Sequence, residues 1–165
     1  MKPLLAIAFM LLAVPVAAQH HGYQGQQQRE IKALSPQEVE QYLAGAGMGY
    51  AKAAELNHFP GPMHVLELAD KLNLTDAQRI ETKRLMEAHK AQARAIGAEL
   101  VEAERELEAL FRGARVDEAA LSRAVRTAAA LEGEYRLSHL ETHRRMRALL
   151  SDEQVKRYDM LRGYQ

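Results

Sequence analysis

The sequence predicts an all-α protein built on a long antiparallel hairpin of two helices. Two long segments contain no proline, and in each of them apolar residues recur at alternating spacings of three and four, the period of one helix face. A short break at 113–116 separates the two segments. We find no segment with the alternating pattern of a β-strand. We therefore expect a long helical hairpin, preceded by short N-terminal helices and followed by a short C-terminal helix.

The first eighteen residues have the features of a secretory signal peptide. One Lys precedes an apolar run from Leu4 to Val16, and small residues follow this run. The run is shorter than the roughly 20 residues that span a bilayer. We expect cleavage after Ala18, export as a soluble protein, and no membrane insertion afterwards. Residues 19–34 are polar and Gln-rich and predict a flexible leader, which leaves 35–165 as a single helical domain.

Three short helices are expected before the hairpin. The segment Ser35–Glu38 combines a capping residue with Pro at the first helical position, so the first helix should run from Pro36 to about Ala44. The second helix is predicted over 50–56 and the third over 63–72. The glycines of 45–49 and the prolines of 59–62 separate them.

The hairpin itself is predicted from Asp76 to Arg112 and, after an N-cap at Asp117, onward to Leu149. Ser151 then caps a final helix that ends near residue 161. Two long helices with one narrow apolar seam bury little surface by themselves. Either the short helices fold back over the seam or a second chain covers it, and we expect a homodimer.

Composition excludes several classes of function. The chain has no Cys, so packing alone must hold the fold. Removing residues 1–18 takes away one Lys and leaves 21 basic against 22 acidic residues, so nothing indicates a nucleic-acid partner. Glu141 follows His139 by two residues, whereas in a zinc-protease helix the Glu follows the first His directly. No nucleophile motif or phosphate loop is present either, and we expect a protein that is not an enzyme.

One short pattern occurs twice, each time at the start of a helix. In both copies a Thr or Ser can accept from the backbone N–H three residues on while the Gln at that position reaches back, which is a capping box. Together with the signal peptide, the absent Cys and the long hairpin, this pair resembles the L-T-x-x-Q motifs of the Spy/CpxP family of periplasmic proteins. The residues that carry the resemblance are Leu74, Thr75 and Gln78 in the first copy and Leu150, Ser151 and Gln154 in the second.

The resemblance implies two functional branches. Some members of the family are ATP-independent chaperones that bind non-native proteins in a concave helical dimer, and others are periplasmic heavy-metal sensors or resistance proteins with His and Met ligands. We expect the first: a chaperone-like stress protein that needs no cofactor and whose partner is a non-native envelope protein or an envelope stress-sensing protein. The metal-binding branch is the alternative. There a His and a Met precede a Leu-containing turn, much as His139, His143 and Met146 precede Leu150 here, although the spacing differs.

Pairing across the hairpin predicts a metal site independently. If Arg112 and Asp117 flank the turn, residues whose numbers sum to about 229 lie at equal height, which brings His89 and Met86 opposite 139–143. The predicted ligands are His89, His139 and His143, with Met146 or Met86 as an auxiliary ligand. Imidazole and thioether donors favour zinc, copper, nickel or cobalt. The alternative is that these side chains only pack in the seam.

Two further sets of candidate ligands lie outside the hairpin. His64 and Glu67 share one face of the third helix and are secondary candidates for the same site, or else an ordinary surface pair. If cleavage leaves Gln19 first, His21 becomes the third residue, and the terminal amine, amides and imidazole could then hold Cu(II) or Ni(II).

Overall fold

The structure, a computed structural model, describes residues 22–114 and 116–164. The predicted signal peptide and the segment Gln19–His21 lie outside the described residues. Within those ranges the chain is all-α and forms no β-strand, and none of its helices is long and apolar enough to cross a membrane. After a 3-10 turn at Gln26–Gln28, the helices are α1 (Pro36–Ala44), α2 (Lys52–Glu55), α3 (Pro62–Glu67), α4 (Asp76–Arg112), α5 (Glu118–Leu149) and α6 (Asp152–Arg162).

The long antiparallel hairpin of α4 and α5 is confirmed, with the bounds that the sequence predicted. Local capping explains why the starts of both helices could be predicted. Thr75 accepts from the N–H of Gln78 at 3.1 Å, and Asp117 accepts from the N–H of Ala120 at 2.8 Å. The same chemistry starts α1, where Ser35 and Glu38 complete a capping box.

The second and third helices are shorter than the predicted 50–56 and 63–72. The reason is visible after α3, where Ala69, Leu72 and Leu74 are all buried although their spacing does not fit one helix face. All three side chains reach the core because the chain leaves the helix before them. It turns at Asn73, which is left-handed (φ 50°), and the Leu74 N–H donates to the Ala69 carbonyl.

The packed part of the chain begins earlier than predicted. Ile31 is 3 % exposed and belongs to the hydrophobic core, although it lies within the predicted flexible leader 19–34. Ion pairs on either side hold this segment against α4: Glu30 to Arg105 at 2.9 Å and Lys32 to Glu108 at 2.7 Å. Ile31, which lies between two charged residues, thus anchors a segment whose composition predicts flexibility.

The short helices fold back over the hairpin, α1 and α3 against α4 and α2 against α5. The end of α1 approaches α4 so closely that a Cβ at Gly97 would lie 2.1 Å from the Tyr42 carbonyl oxygen, so only glycine permits this crossing. The tip of the hairpin is not covered in the same way, since Phe111 and Val125 are exposed. The homodimer stays a prediction.

The two motif copies meet at the open end of the hairpin. The Gln78 side-chain amide donates to the Gln154 side-chain oxygen at 2.8 Å, and the Gln154 amide donates back to the Gln78 oxygen at 3.0 Å. Each amide also donates to a backbone carbonyl across the junction, Gln78 to Leu149 at 2.8 Å and Gln154 to Leu72 at 3.3 Å. We call this pair the glutamine clasp. It joins the start of α4 to the start of α6.

Each motif position therefore has a physical role. The glutamine oxygens also close the capping boxes, by accepting from the backbone N–H of Thr75 and of Ser151. The motif leucines, Leu74 and Leu150, are both 6 % exposed and lie in one hydrophobic cluster below the clasp. The sequence repeats the pattern because each copy caps its own helix and binds the other copy.

Candidate metal centre

A cavity of about 530 Å³ lies between the middle of the hairpin and the short helices that cover it. Its walls come from the end of α1, the glycine-rich segment 45–49, α2, the start of α3, α4, α5 and the end of α6. The side chains with potential metal-ligating atoms among its lining are Met48, Glu55, Met63, His64, Met86, His89, His139 and His143.

The structure brings the three predicted histidines of the hairpin to this cavity. His89 and His139 are in ring contact, with centroids 4.5 Å apart and an angle of 75° between the rings, as the hairpin pairing predicted. His143 and Met86 line the same cavity. Met146 is fully buried in the cluster below the glutamine clasp and is not among the lining residues.

Two imidazole nitrogens of this group lack partners. His139 is only 4 % exposed, yet no group within the described ranges makes a hydrogen bond to its Nε2, and the same holds for Nδ1 of His89. A buried polar atom without a partner costs about 1–3 kcal/mol. A ligand that accepts these lone pairs or supplies a donor would remove that cost.

These two histidines are held in the neutral form. Burial, and next the neighbouring His89 and His143, lower the pKa of His139 to about 4. Burial and then His143 also lower the pKa of His89. Since an imidazole must be neutral to coordinate a metal, both side chains are in the required protonation state at neutral pH.

His143 is oriented by the loop between α2 and α3. Its Nδ1 lies 2.7 Å from the Phe59 carbonyl oxygen, and because a carbonyl only accepts, Nδ1 carries the proton. Nε2 is then the nitrogen with the free lone pair. Gly61 makes room for the ring, since a Cβ there would lie 2.9 Å from Nε2. Metal-binding histidines usually donate their other ring N–H to an acceptor of this kind, which fixes the tautomer.

Glu55 lies beside His143 but is already engaged. Its Oε2 is 3.5 Å from the His143 Nδ1 and accepts from the Gly61 N–H at 3.0 Å. Its other oxygen accepts from the hydroxyls of Tyr158 and Tyr164. We conclude that this carboxylate ties α2 to α6. Sequence reasoning missed Glu55, because its contacts with Gly61 and with the two tyrosines depend on how the loop 56–61 folds.

Of the two secondary candidate ligands, one lines the cavity and the other orients it from outside. His64 lines the cavity, and its Nδ1 lies 2.9 Å from a carboxylate oxygen of Glu67. Glu67 is exposed and is not a lining residue, so it orients His64. Sequence reasoning missed Met48, which lies in the glycine-rich segment and has a left-handed backbone (φ 46°).

The donors are close together without forming a coordination sphere. In residues 22–114 and 116–164, no three His, Asp or Glu side chains surround one point in a geometry that holds a metal ion. His89 meets His139 edge to face. Metal binding would require these rings to rotate within the cavity, and it stays a prediction.

Comparison with known proteins identifies one protein family. A family model described as "LTXXQ motif family protein" matches residues 62–162. The match begins with α3 and ends with α6, and it contains both motif copies and the four lining histidines. Comparison with curated proteins and with solved structures returned no match.

Proposed function

This chain belongs to the LTXXQ motif family, and we propose that it is an exported, non-enzymatic protein of the bacterial periplasm whose histidine-lined cavity binds a first-row transition metal. The observation that carries the proposal is the unpartnered Nε2 of His139, a side chain that is 4 % exposed and packs against His89. The alternative branch of the sequence prediction is thus the one that the geometry favours.

The surroundings of the histidines support coordination over simple packing. Packing alone gives no reason to leave a buried ring nitrogen of His89 and of His139 without a partner among the residues that the structure describes. His143 and His64 each have Nδ1 bonded, to Phe59 and to Glu67, which leaves Nε2 of both rings for a ligand. Four imidazoles from three helices therefore share one cavity.

Calorimetric titration tests this function. The mature protein is titrated with Zn(II), Ni(II) and Co(II) at neutral pH, beside a variant with His139→Ala and His143→Ala. The matched control is His58→Ala, because His58 is bonded to Asp159 at 2.7 Å and does not line the cavity. We expect binding tighter than about 100 µM, lost in the double variant and kept in the control.

Zn(II) or Co(II) binding that survives in the double variant, or that is lost equally in His58→Ala, would contradict a site at the cavity. Circular dichroism of each variant separates loss of ligands from loss of fold.

A second function, the ATP-independent binding of non-native proteins, is favoured by an exposed apolar surface. Leu56, Phe59 and Met63 lie within one short stretch of the chain, and their exposed fractions are 57 %, 37 % and 54 %. Met63 also lines the cavity. We call this the 56–63 surface. Exposed apolar groups close together often bind other proteins, and Met adapts to varied partners.

An aggregation assay tests the chaperone function. Denatured client protein is diluted into buffer with the mature protein and without ATP, and light scattering is followed. We expect suppression at stoichiometric amounts and a weaker effect when Leu56, Phe59 and Met63 are all changed to Gln. The matched control changes Ile80, Leu137 and Met160 to Gln, which are at least as exposed but lie on α4, α5 and α6 outside this stretch. No suppression by the unmodified protein, or equal losses in both variants, would contradict this function.

A further inference from the structure

We infer that the cavity selects Cu(I) over the divalent metals. This inference rests on the proposed metal-binding function and names the ion that the lining suits best. Three methionines, Met48, Met63 and Met86, line the same cavity as the histidines. Among the metals that imidazole and thioether donors can hold, Cu(I) is the softest, so each thioether sulfur favours Cu(I) over nickel, cobalt and zinc.

The thioethers come from the same elements as the imidazoles. Met86 precedes His89 by three residues on α4, a spacing that puts the two side chains next to each other on one helix face. Met63 directly precedes His64 at the start of α3. A sulfur and a nitrogen donor therefore enter the cavity together from each of these two helices.

The charges around the cavity also favour a monovalent ion. Apart from the histidines, the charged lining residues are Lys52, Lys90 and Arg162, which are basic, and Glu55, which is acidic. Glu55 already accepts from Gly61 and from two tyrosine hydroxyls. A divalent ion would thus enter a partly buried site with no free carboxylate to balance it.

The cost of that burial depends strongly on charge. In the Born description, the energy of moving an ion out of water rises with the square of its charge. The desolvation energy of a divalent ion is therefore about four times that of a monovalent ion of the same size. Neutral imidazole and thioether donors offset only part of this difference, and no lining carboxylate is free to offset the rest. They are, however, sufficient ligands for Cu(I).

Competition for Cu(I) tests the selectivity. The mature protein is titrated under anaerobic conditions with Cu(I) against the chromophoric chelator bicinchoninate, and separately with Zn(II) by calorimetry. The test variant carries Met63→Leu and Met86→Leu, which keep side-chain volume. The matched control is Met160→Leu, since Met160 is exposed on α6 and does not line the cavity.

We expect the unmodified protein to bind Cu(I) at least about 100-fold more tightly than Zn(II), and the double variant to lose at least about 10-fold in Cu(I) affinity. Zn(II) binding should be unchanged in that variant. X-ray absorption of the Cu(I) protein should show sulfur neighbours that decrease in the double variant and persist in Met160→Leu.

Two results would overturn the inference: Zn(II) binding as tight as Cu(I) binding, or Cu(I) affinity and sulfur scattering that are unchanged without Met63 and Met86. If Zn(II) binds through His139 and His143 in that case, the proposed function stands and only the selectivity is wrong. If neither ion binds, the proposed function fails as well.

Discussion

Replacing Gln78 with Ala should destabilise the fold far more than the loss of an ordinary helix cap. The Gln78 side chain takes part in four hydrogen bonds, to the N–H of Thr75, to the carbonyl of Leu149, and two with the side chain of Gln154. At about 0.5–1.5 kcal/mol each, these bonds total roughly 2–6 kcal/mol. Both glutamines are partly exposed, so water replaces some of the lost partners. We expect a loss of about 2–3 kcal/mol.

A double-mutant cycle isolates the glutamine clasp. Gln78→Ala, Gln154→Ala and the double variant are unfolded in urea, and helicity is followed by circular dichroism. Because the two side chains share two hydrogen bonds, the double variant should lose about 1–2 kcal/mol less than the sum of the single losses. The control is Glu38→Ala. Glu38 closes a capping box with Ser35 but reaches no second helix, so its loss should cost only about 1 kcal/mol.

The reasoning about the clasp is refuted by either of two results. One is a Gln78→Ala variant that is no less stable than Glu38→Ala. The other is strict additivity of the two glutamine substitutions, which would mean that the motif copies cap their own helices without stabilising each other.

Three further predictions concern pH, the cavity wall and assembly. Because the pKa of His139 is lowered to about 4, the unfolded chain takes up a proton between pH 6.5 and 4 that the folded chain excludes. Urea unfolding should therefore show a loss of roughly 3 kcal/mol in the free energy of unfolding as the pH falls through that window. The profile should be flatter in His139→Phe. In Gly61→Ala the new Cβ would lie 2.9 Å from the His143 ring, so calorimetry should show at least about a 10-fold loss of metal affinity while helicity is kept. Phe111 and Val125 are 59 % and 47 % exposed at the hairpin tip, and light scattering at micromolar concentration should give the mass of a dimer; a monomer mass would contradict this.

The hairpin could be predicted because its signals are local. Spacing along one helix face and a capping residue at each start are written in neighbouring residues, and they located α4 and α5 to the residue. The turns that follow α2 and α3 pass through left-handed residues at His58 and Asn73, which nothing in the adjacent sequence requires. The burial of Ile31 depends on a surface that exists only after α1 and α4 have packed.

The candidate site was predictable to the extent that it lies on the hairpin. Antiparallel pairing was enough to bring His89 to His139. Met146 shares a helix face with His143, but the helix rise puts it about 4.5 Å farther along the axis, where the motif cluster begins. The roles of Glu55 and Phe59 depend on how the loop folds against α5 and α6, which periodicity does not describe.

The most direct test of the central claim is a two-bond ¹H–¹⁵N spectrum of the histidine rings, recorded for the mature protein without metal and with a diamagnetic ion, Cu(I) or Zn(II). The account predicts that Nε2 of His143 changes on metal addition while its Nδ1 stays protonated against the Phe59 carbonyl, and that His89 and His139 change at the same metal ratio. His58, which is paired with Asp159, should be unaffected. The claim of a metal site would be contradicted if neither ion changed the ring-nitrogen signals of His89, His139 and His143. These histidines would then be packing residues of the hairpin.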